Sequence, residues 1–240
     1  MKITCIGHSG FAVECSEATL IFDYYTDERG VVDSILARAK RIHVFVSHSH
    51  RDHLNHDIFL WKDRYPIERY VIANECRRKL MRSMDLAAYP FTFIHHDEDF
   101  ADGHIKVRAF NSTDAGVCFL VDIDGHSIFH AGDYNCWHFM PENTPADVKK
   151  AMGDYHVILQ AIATYSPAID IAMFPVIPNI GGDFAYGARQ FLATINVDLF
   201  LPMHTWNRYR EAFDYDLYRN PAHGTCRGLR PGDTIEYGNE

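Results

Sequence analysis

His48, His50, Asp52 and His53 fall within the six residues His48-Ser49-His50-Arg51-Asp52-His53, directly after the apolar run Ile42-His43-Val44-Phe45-Val46. At the chain's own residue usage, His-x-His-x-Asp-His arises by chance with a probability of roughly 0.5%, so a plain polar loop explains it poorly. Imidazole suits zinc, iron and nickel, and carboxylate suits harder ions, so the chemistry indicated is metal binding. In an extended stretch His48 and His50 share side-chain parity and can grip one ion together. Asp52 and His53, one turn on, can reach a second. Two later residues have the right types in the right places. Asp133 follows Phe129-His130-Ala131-Gly132, where a strand runs into a Gly-Asp turn, and its carboxylate could bridge two ions. His204 ends the apolar run Leu201-Pro202-Met203. Taken singly, Asp133 reads as an ordinary turn aspartate and His204 is evenly balanced between ligand and bystander.

These residues need a scaffold of strand ends, and the pattern supplies one. Short apolar or β-branched runs at 3–6, 11–15, 19–22, 42–46, 70–73, 91–94, 105–110, 117–122, 127–130, 169–176 and 199–203 read as strands, with a last one inside 228–237. Asp124-Gly125 marks a hairpin. Helical spacing covers 31–41, 55–64, 75–84, 146–164 (with Gly153 a weak point), 184–195 and 207–218. Strands come in two batches, each mixed with helices. The expectation is an α/β chain of two mixed sheets packed face to face with helices outside, one domain over residues 1–240.

Composition narrows the partners. Of 240 residues, 47% are hydrophobic, enough for one well-packed core. The formal net charge of −9 argues against broad binding to nucleic acid or an anionic membrane, leaving a small-molecule substrate. The start of the chain has no signal-peptide pattern, and no stretch approaches 18 consecutive apolar residues. Six scattered cysteines without a Cys-x-x-Cys pair fit inert thiols in a cytoplasmic protein. Oligomeric state is not legible. The aromatic residues Tyr209, Phe213, Tyr215 and Tyr218 read as one helix packed on the core.

The strand-His-x-His-x-Asp-His loop, the later Gly132-Asp133 and the late strand ending in His204 resemble, in that order, the metallo-β-lactamase fold superfamily. Gly7-His8-Ser9-Gly10 and Leu20-Ile21-Phe22-Asp23 are similar to its lactonase-like and phosphodiesterase-like branches. The resemblance covers essentially the whole chain and implies an αββα sandwich with one or two divalent ions at one edge, zinc first, with manganese or iron as alternatives. It implies that His48, His50 and a third histidine hold one ion. Asp52, His53 and His204 would hold the other, with Asp133 between. Where the third histidine belongs, the chain reads Phe110-Asn111-Ser112-Thr113-Asp114-Ala115-Gly116, with Ser112 at the equivalent spacing. Three outcomes stay open: Asp114 ligates instead, water fills the place, or that half is weak or empty. Asp114 is the leading expectation, and a carboxylate there would shift preference toward manganese or iron.

The implied activity is hydrolysis, because such ions acidify a bound water until hydroxide is available near neutral pH. Asp52 would both ligate and orient the nucleophile. A small phosphoester or cyclic phosphodiester is the first substrate expectation, a lactone the second. β-Lactams are not expected, because the secreted antibiotic-degrading members carry export signals. A non-catalytic or degenerate binding protein of the same fold is the alternative. A redox diiron protein would want glutamate where His50 stands. Elsewhere, His8 could approach the site from the opening loop but reads first as a turn histidine, and His130 reads as strand-end packing or support for a ligand. Asn135-Cys136-Trp137-His138 reads as a substrate wall, Asp183 as a helix N-cap, His95-His96-Asp97 as a solvated loop and His223 as surface.

Overall fold

The computed structural model describes residues 1–218 and 224–238. In chain order the elements are β1 (Lys2–Gly7), β2 (Gly10–Glu14), β3 (Thr19–Phe22), α1 (Val32–Arg38), β4 (Ile42–Val46), β5 (Ile67–Ala73), α2 (Arg77–Leu80), β6 (Phe91–Ile94), β7 (Asp99–Ala101), β8 (Lys106–Asn111), β9 (Val117–Ile123), β10 (His126–His130), α3 (Pro145–Tyr165), β11 (Ala168–Pro175), α4 (Tyr186–Thr194), β12 (Asn196–Met203), α5 (Tyr209–Ala212), β13 (Thr225–Cys226) and β14 (Thr234–Glu236).

The strands form two seven-stranded sheets, β14-β1-β2-β3-β4-β5-β6 and β13-β12-β11-β10-β9-β8-β7. Each has the same plan. In the first, antiparallel pairing runs from β14 to β3 and parallel pairing from β3 to β6. In the second, antiparallel pairing runs from β7 to β10 and parallel pairing from β10 to β13. The mixed-sheet sandwich expected from the pattern is therefore present.

The buried runs explain why these strands are central. All five residues of β4 are buried, including His43. A strand covered on both faces needs such a continuous apolar run rather than alternation. Across the sandwich Phe45 meets Phe119 at 5.3 Å, and Phe22 stacks on His130 at 5.0 Å. Outside, α3 opens with a capping box, the Thr144 hydroxyl and Asp147 carboxylate exchanging bonds with each other's backbone. Its buried stripe is Tyr155, Ile158, Leu159 and Ile162. A Cβ on Gly153 would meet nothing, so the helix runs through it at a propensity cost of about 1 kcal/mol.

Three helical expectations need correction. Residues His56–Asp63 form a 3-10 helix, not an α-helix, and 75–84 divides into a short 3-10 turn and the four-residue α2. The span 207–218 breaks into α5 and a 3-10 turn at Tyr215–Leu217. Phe213, Tyr215 and Tyr218 do pack inward, but Tyr218 turns back to donate its hydroxyl to the Ala212 carbonyl, which a continuous helix would not permit. Asp183 is no N-cap. α4 begins after Ala185, and the Asp183 carboxylate instead pairs with Arg189. His95, His96 and Asp97 lie exposed, as a solvated loop should. His223 lies outside the described residues. Among the described residues, no helix is long and apolar enough to cross a membrane.

Candidate metal centre

β4 delivers Ser47 and His48, both fully buried, to the edge of the sandwich. The chain then turns, with the His53 and Leu54 amides both donating to the His50 carbonyl at 3.1 and 3.0 Å. On its outer side the turn is tied down by Glu75, which accepts from the Ser49 amide at 2.6 Å, and by Lys79, which donates to the Ser49 carbonyl at 2.6 Å. The turn aims His48 and His50 one way and Asp52 and His53 another.

The second sheet meets this loop with three strand ends. Asp133 follows β10, His204 follows β12, and Asp114 sits in the β8–β9 turn. Two clusters of donor atoms result. In the inner one, His8, Asp52, His53 and His204 each place a ligand atom within 4.8 Å of the others. In the outer one, His48, His50, Asp114 and Asp133 do the same. Asp133 joins them: its Oδ1 lies 3.1 Å from His53 Nε2 and 3.3 Å from His204 Nε2, and its Oδ2 lies 3.4 Å from His48 Nε2. Asp114 Oδ2 stands 3.6 Å from His50 Nδ1. The Ser112 hydroxyl accepts a long bond of 3.4 Å from the Asp114 amide, so Ser112 supports the turn that presents Asp114.

Behind the donors lies Asp23, fully buried at the end of β3. Its carboxylate accepts from the Ser47 amide at 2.7 Å, the Ser47 hydroxyl at 2.6 Å and His53 Nδ1 at 2.7 Å. Because the Ser47 hydrogen is committed to Asp23, its oxygen accepts from His48 Nδ1 at 2.9 Å. One carboxylate thus fixes Nδ1 of both histidines as a donor and turns both Nε2 atoms toward the centre. Two glycines permit this closeness. A Cβ on Gly116 would fall 1.9 Å from the Ser47 carbonyl oxygen, and one on Gly132 would fall 2.7 Å from Ser47 Cβ. Both have left-handed φ, +66° and +52°, which favours glycine in any case.

His53 Nε2, Asp133 Oδ1 and both ring nitrogens of His204 are buried and lack a hydrogen-bond partner among the described residues. Buried polar atoms normally find partners. Atoms 3.1–3.3 Å apart that converge on one point without aligning as hydrogen bonds fit a shared cation. Electrostatics agrees. Burial works against ionisation of Asp133, yet His48, His53 and His204 overcome it and hold the carboxyl well below its usual range. Asp52 is also held low against its burial, by His8 and His53. Burial alone would lower the His53 imidazole, but Asp23 and Asp133 raise it to about 10, while burial takes His204 down to about 3. The carboxylates therefore hold a positive charge at His53 that a divalent ion can replace.

All seven residues singled out as ligands, His48, His50, Asp52, His53, Asp114, Asp133 and His204, lie in this one region. Two others were undervalued. His8 is a turn residue, as read, yet it is also within the inner cluster, its Nε2 3.1 Å from Asp52 Oδ2. Asp23 was visible as a buried run ending in aspartate, which is its only local signal. His130 packs as expected, its Nε2 donating to the Ser9 carbonyl at 2.8 Å. The proposed wall at 135–138 needs correction. Asn135, Cys136 and His138 are buried, and Trp137 is half-buried with its indole donating to the Asp133 carbonyl at 2.9 Å. That segment fixes the Asp133 turn from behind. The aromatic side chain open to solvent beside the donors is Trp206, 48% exposed and 4.5 Å from the His8 ring.

Known proteins match this chain along its whole length. A metal-dependent hydrolase of the UPF0173 group from Natranaerobius thermophilus is 26% identical over 251 residues, covering 98% of this chain and 99% of that one. Its counterpart from Korarchaeum cryptofilum is 27% identical over 253 residues, again covering 98% and 99%. Among solved structures, Igni18, a metallo hydrolase from Ignicoccus hospitalis, superposes with a TM-score of 0.66 at 16% identity, covering 99% of both chains. CmlA, a diiron beta-hydroxylase from Streptomyces venezuelae, gives 0.68 at 13% identity over 98% of this chain and 54% of that one. At such identities these two likenesses concern the fold. Residues 2–148 match the family model described as the beta-lactamase superfamily domain, and to that superfamily the chain belongs.

Proposed function

We propose that this protein is a metal-dependent hydrolase acting on a small phosphoester, most readily a phosphodiester, or on a lactone. In this reading His48, His50, Asp114 and Asp133 hold one divalent ion, and Asp52, His53, His204 and Asp133 hold the other, with both sheets of one domain contributing. The observation that carries it is the convergence of His53 Nε2, His204 Nε2 and Asp133 Oδ1, all buried and without hydrogen-bond partners among the described residues. Curated relatives that this chain matches end to end bear the name metal-dependent hydrolase.

Bound ions would supply Lewis acidity and an acidified water at neutral pH. Zinc suits the histidines that both sets contain, and the exposed carboxylate of Asp114 makes the outer set more hospitable to manganese or iron. The chain's own contribution is positional. Asp133 spans the two halves, and Asp52, only partly buried, lies where it can both ligate and accept a hydrogen bond from an attacking water. Trp206 offers an apolar face to the substrate at the rim. The net charge of −9 favours a small molecule over nucleic acid. Cys5, Cys76, Cys118 and Cys136, all buried, suit a reducing cytoplasm.

The test pairs metal analysis of the purified protein with a panel of aryl phosphodiesters, phosphomonoesters and lactones under added zinc or manganese. The expected result is bound metal together with turnover of at least one class, abolished by chelation. Bound metal with no turnover on any class would overturn the hydrolase reading in favour of a binding protein.

A further inference from the structure

We propose that His8 is itself a ligand of the inner ion, completing a set of three histidines and two aspartates with Asp52, His53, His204 and the shared Asp133. This rests on the metal reading above but adds a residue that neither the hexapeptide nor the late strand ends supply.

Four observations carry it. The first is reach, since a ring nitrogen of His8 lies within 4.8 Å of one donor atom from each of Asp52, His53 and His204. The second is enclosure. The His8 side chain is only 8% exposed, with its ring centroid 4.0 Å from His204, 4.5 Å from Trp206 and 6.0 Å from Tyr25. A side chain so held is already in place to ligate. The third is backbone strain. His8 sits at the tip of the β1–β2 hairpin with φ +54°, and His204 follows β12 with φ +59°. Both occupy the left-handed region, which favours glycine, so each histidine is held there by its surroundings. The His204 amide donates to the His8 carbonyl at 3.2 Å, so the strained pair is joined backbone to backbone across the two sheets. The fourth is asymmetry. The outer group offers two nitrogens, from His48 and His50, while His8 gives the inner group a third. The result is two unlike sites, nitrogen-rich inside and half carboxylate outside, with correspondingly different metal preferences.

The same geometry also fits a lesser role, in which His8 Nε2 only donates to Asp52 Oδ2, 3.1 Å away. Three variants separate the two roles. Wild type, His8→Ala, His8→Gln and His8→Gly are titrated with zinc by calorimetry and with cobalt(II) by visible absorption. Glutamine keeps a donor for Asp52 but is a poor ligand. Glycine relieves the left-handed strain. All three variants should weaken the tighter binding step by about 10- to 100-fold, shift the cobalt(II) absorption bands and leave the weaker step unchanged. His8→Gly should in addition melt, metal-free, no lower than wild type. Wild-type affinity and spectrum in His8→Gln would overturn the proposal and leave His8 as a hydrogen-bond donor. A wild-type protein that takes up neither zinc nor cobalt would instead remove the metal reading on which the proposal rests.

Discussion

The inner and outer halves of the centre share Asp133 but are built differently. Inside, His53 and His204 are buried, and Asp23 fixes the His53 ring from behind. Outside, His48 is buried, but the His50 and Asp114 side chains are 54% and 41% exposed. Charges out of water interact more strongly and are screened less. Flexible exposed donors must also be ordered when they bind. With ions bound, the same residue types would make a tighter site on one side and a looser, more exchangeable one on the other.

The comparison breaks most visibly at its two extremes. His204→Ala should remove the inner ion, lowering its affinity by about 100-fold or more, while Asp114→Ala should cost only the outer ion about 10-fold. Metal content after dialysis reads both. Equal losses in the two variants would erase the distinction between the halves. Next in size is Asp23→Asn. Because Asp23 orients His53 directly and His48 through Ser47, this single change should weaken both ions by about 10-fold or more. It should also lower stability by about 1–3 kcal/mol, since a buried carboxylate that accepts three donors is replaced by an amide. Denaturant unfolding and metal titration on one sample check it. An effect on one ion alone would show that the Ser47 relay does not operate.

The smallest effect concerns a buried histidine remote from the ions. Burial depresses His43 below its ordinary 6.5, although its Nε2 lies 2.6 Å from Asp102 Oδ2. Asp102 is likewise held low: its partial burial opposes this, and the bonds from His43 and the 104 and 105 amides prevail. The native state therefore resists protonation that the unfolded chain accepts. Stability is full above about pH 6.5 and falls as pH drops below it, with the Asp102 contribution lost in the more acidic range as that carboxylate protonates. His43→Gln, which cannot titrate, should flatten the decline just below pH 6.5 in thermal melts. An unchanged slope would place the acid sensitivity at the metal centre instead.

The hexapeptide was readable because its ligands are contiguous, and the two-sheet architecture because the apolar runs are long and well separated. Asp133 and His204 were found by their positions after strands. The placements of His8 and Asp23 have no local signature. His8 meets Asp52 across 44 residues of chain, and Asp23 acts only once Ser47 is folded against it. Periodicity also could not separate α-helix from 3-10 turns at His56–Asp63, where short-range spacing is nearly the same for both. Asp114 lies between these cases. The family resemblance raises the question of a missing histidine, and the structure brings the Asp114 carboxylate to 3.6 Å from His50 Nδ1.

Ser47 is wedged between the backbones of Gly116 and Gly132, so the place where the first sheet hands over to the loop is also where the second sheet presses hardest. Ions held just beyond that wedge would draw ligands from both sheets and act as rivets through a seam. At a free concentration of 100 times its dissociation constant, one such ion adds about 2.7 kcal/mol to the folded state. Metal supply would then govern how long each molecule survives unfolding and proteolysis, as well as whether it turns over.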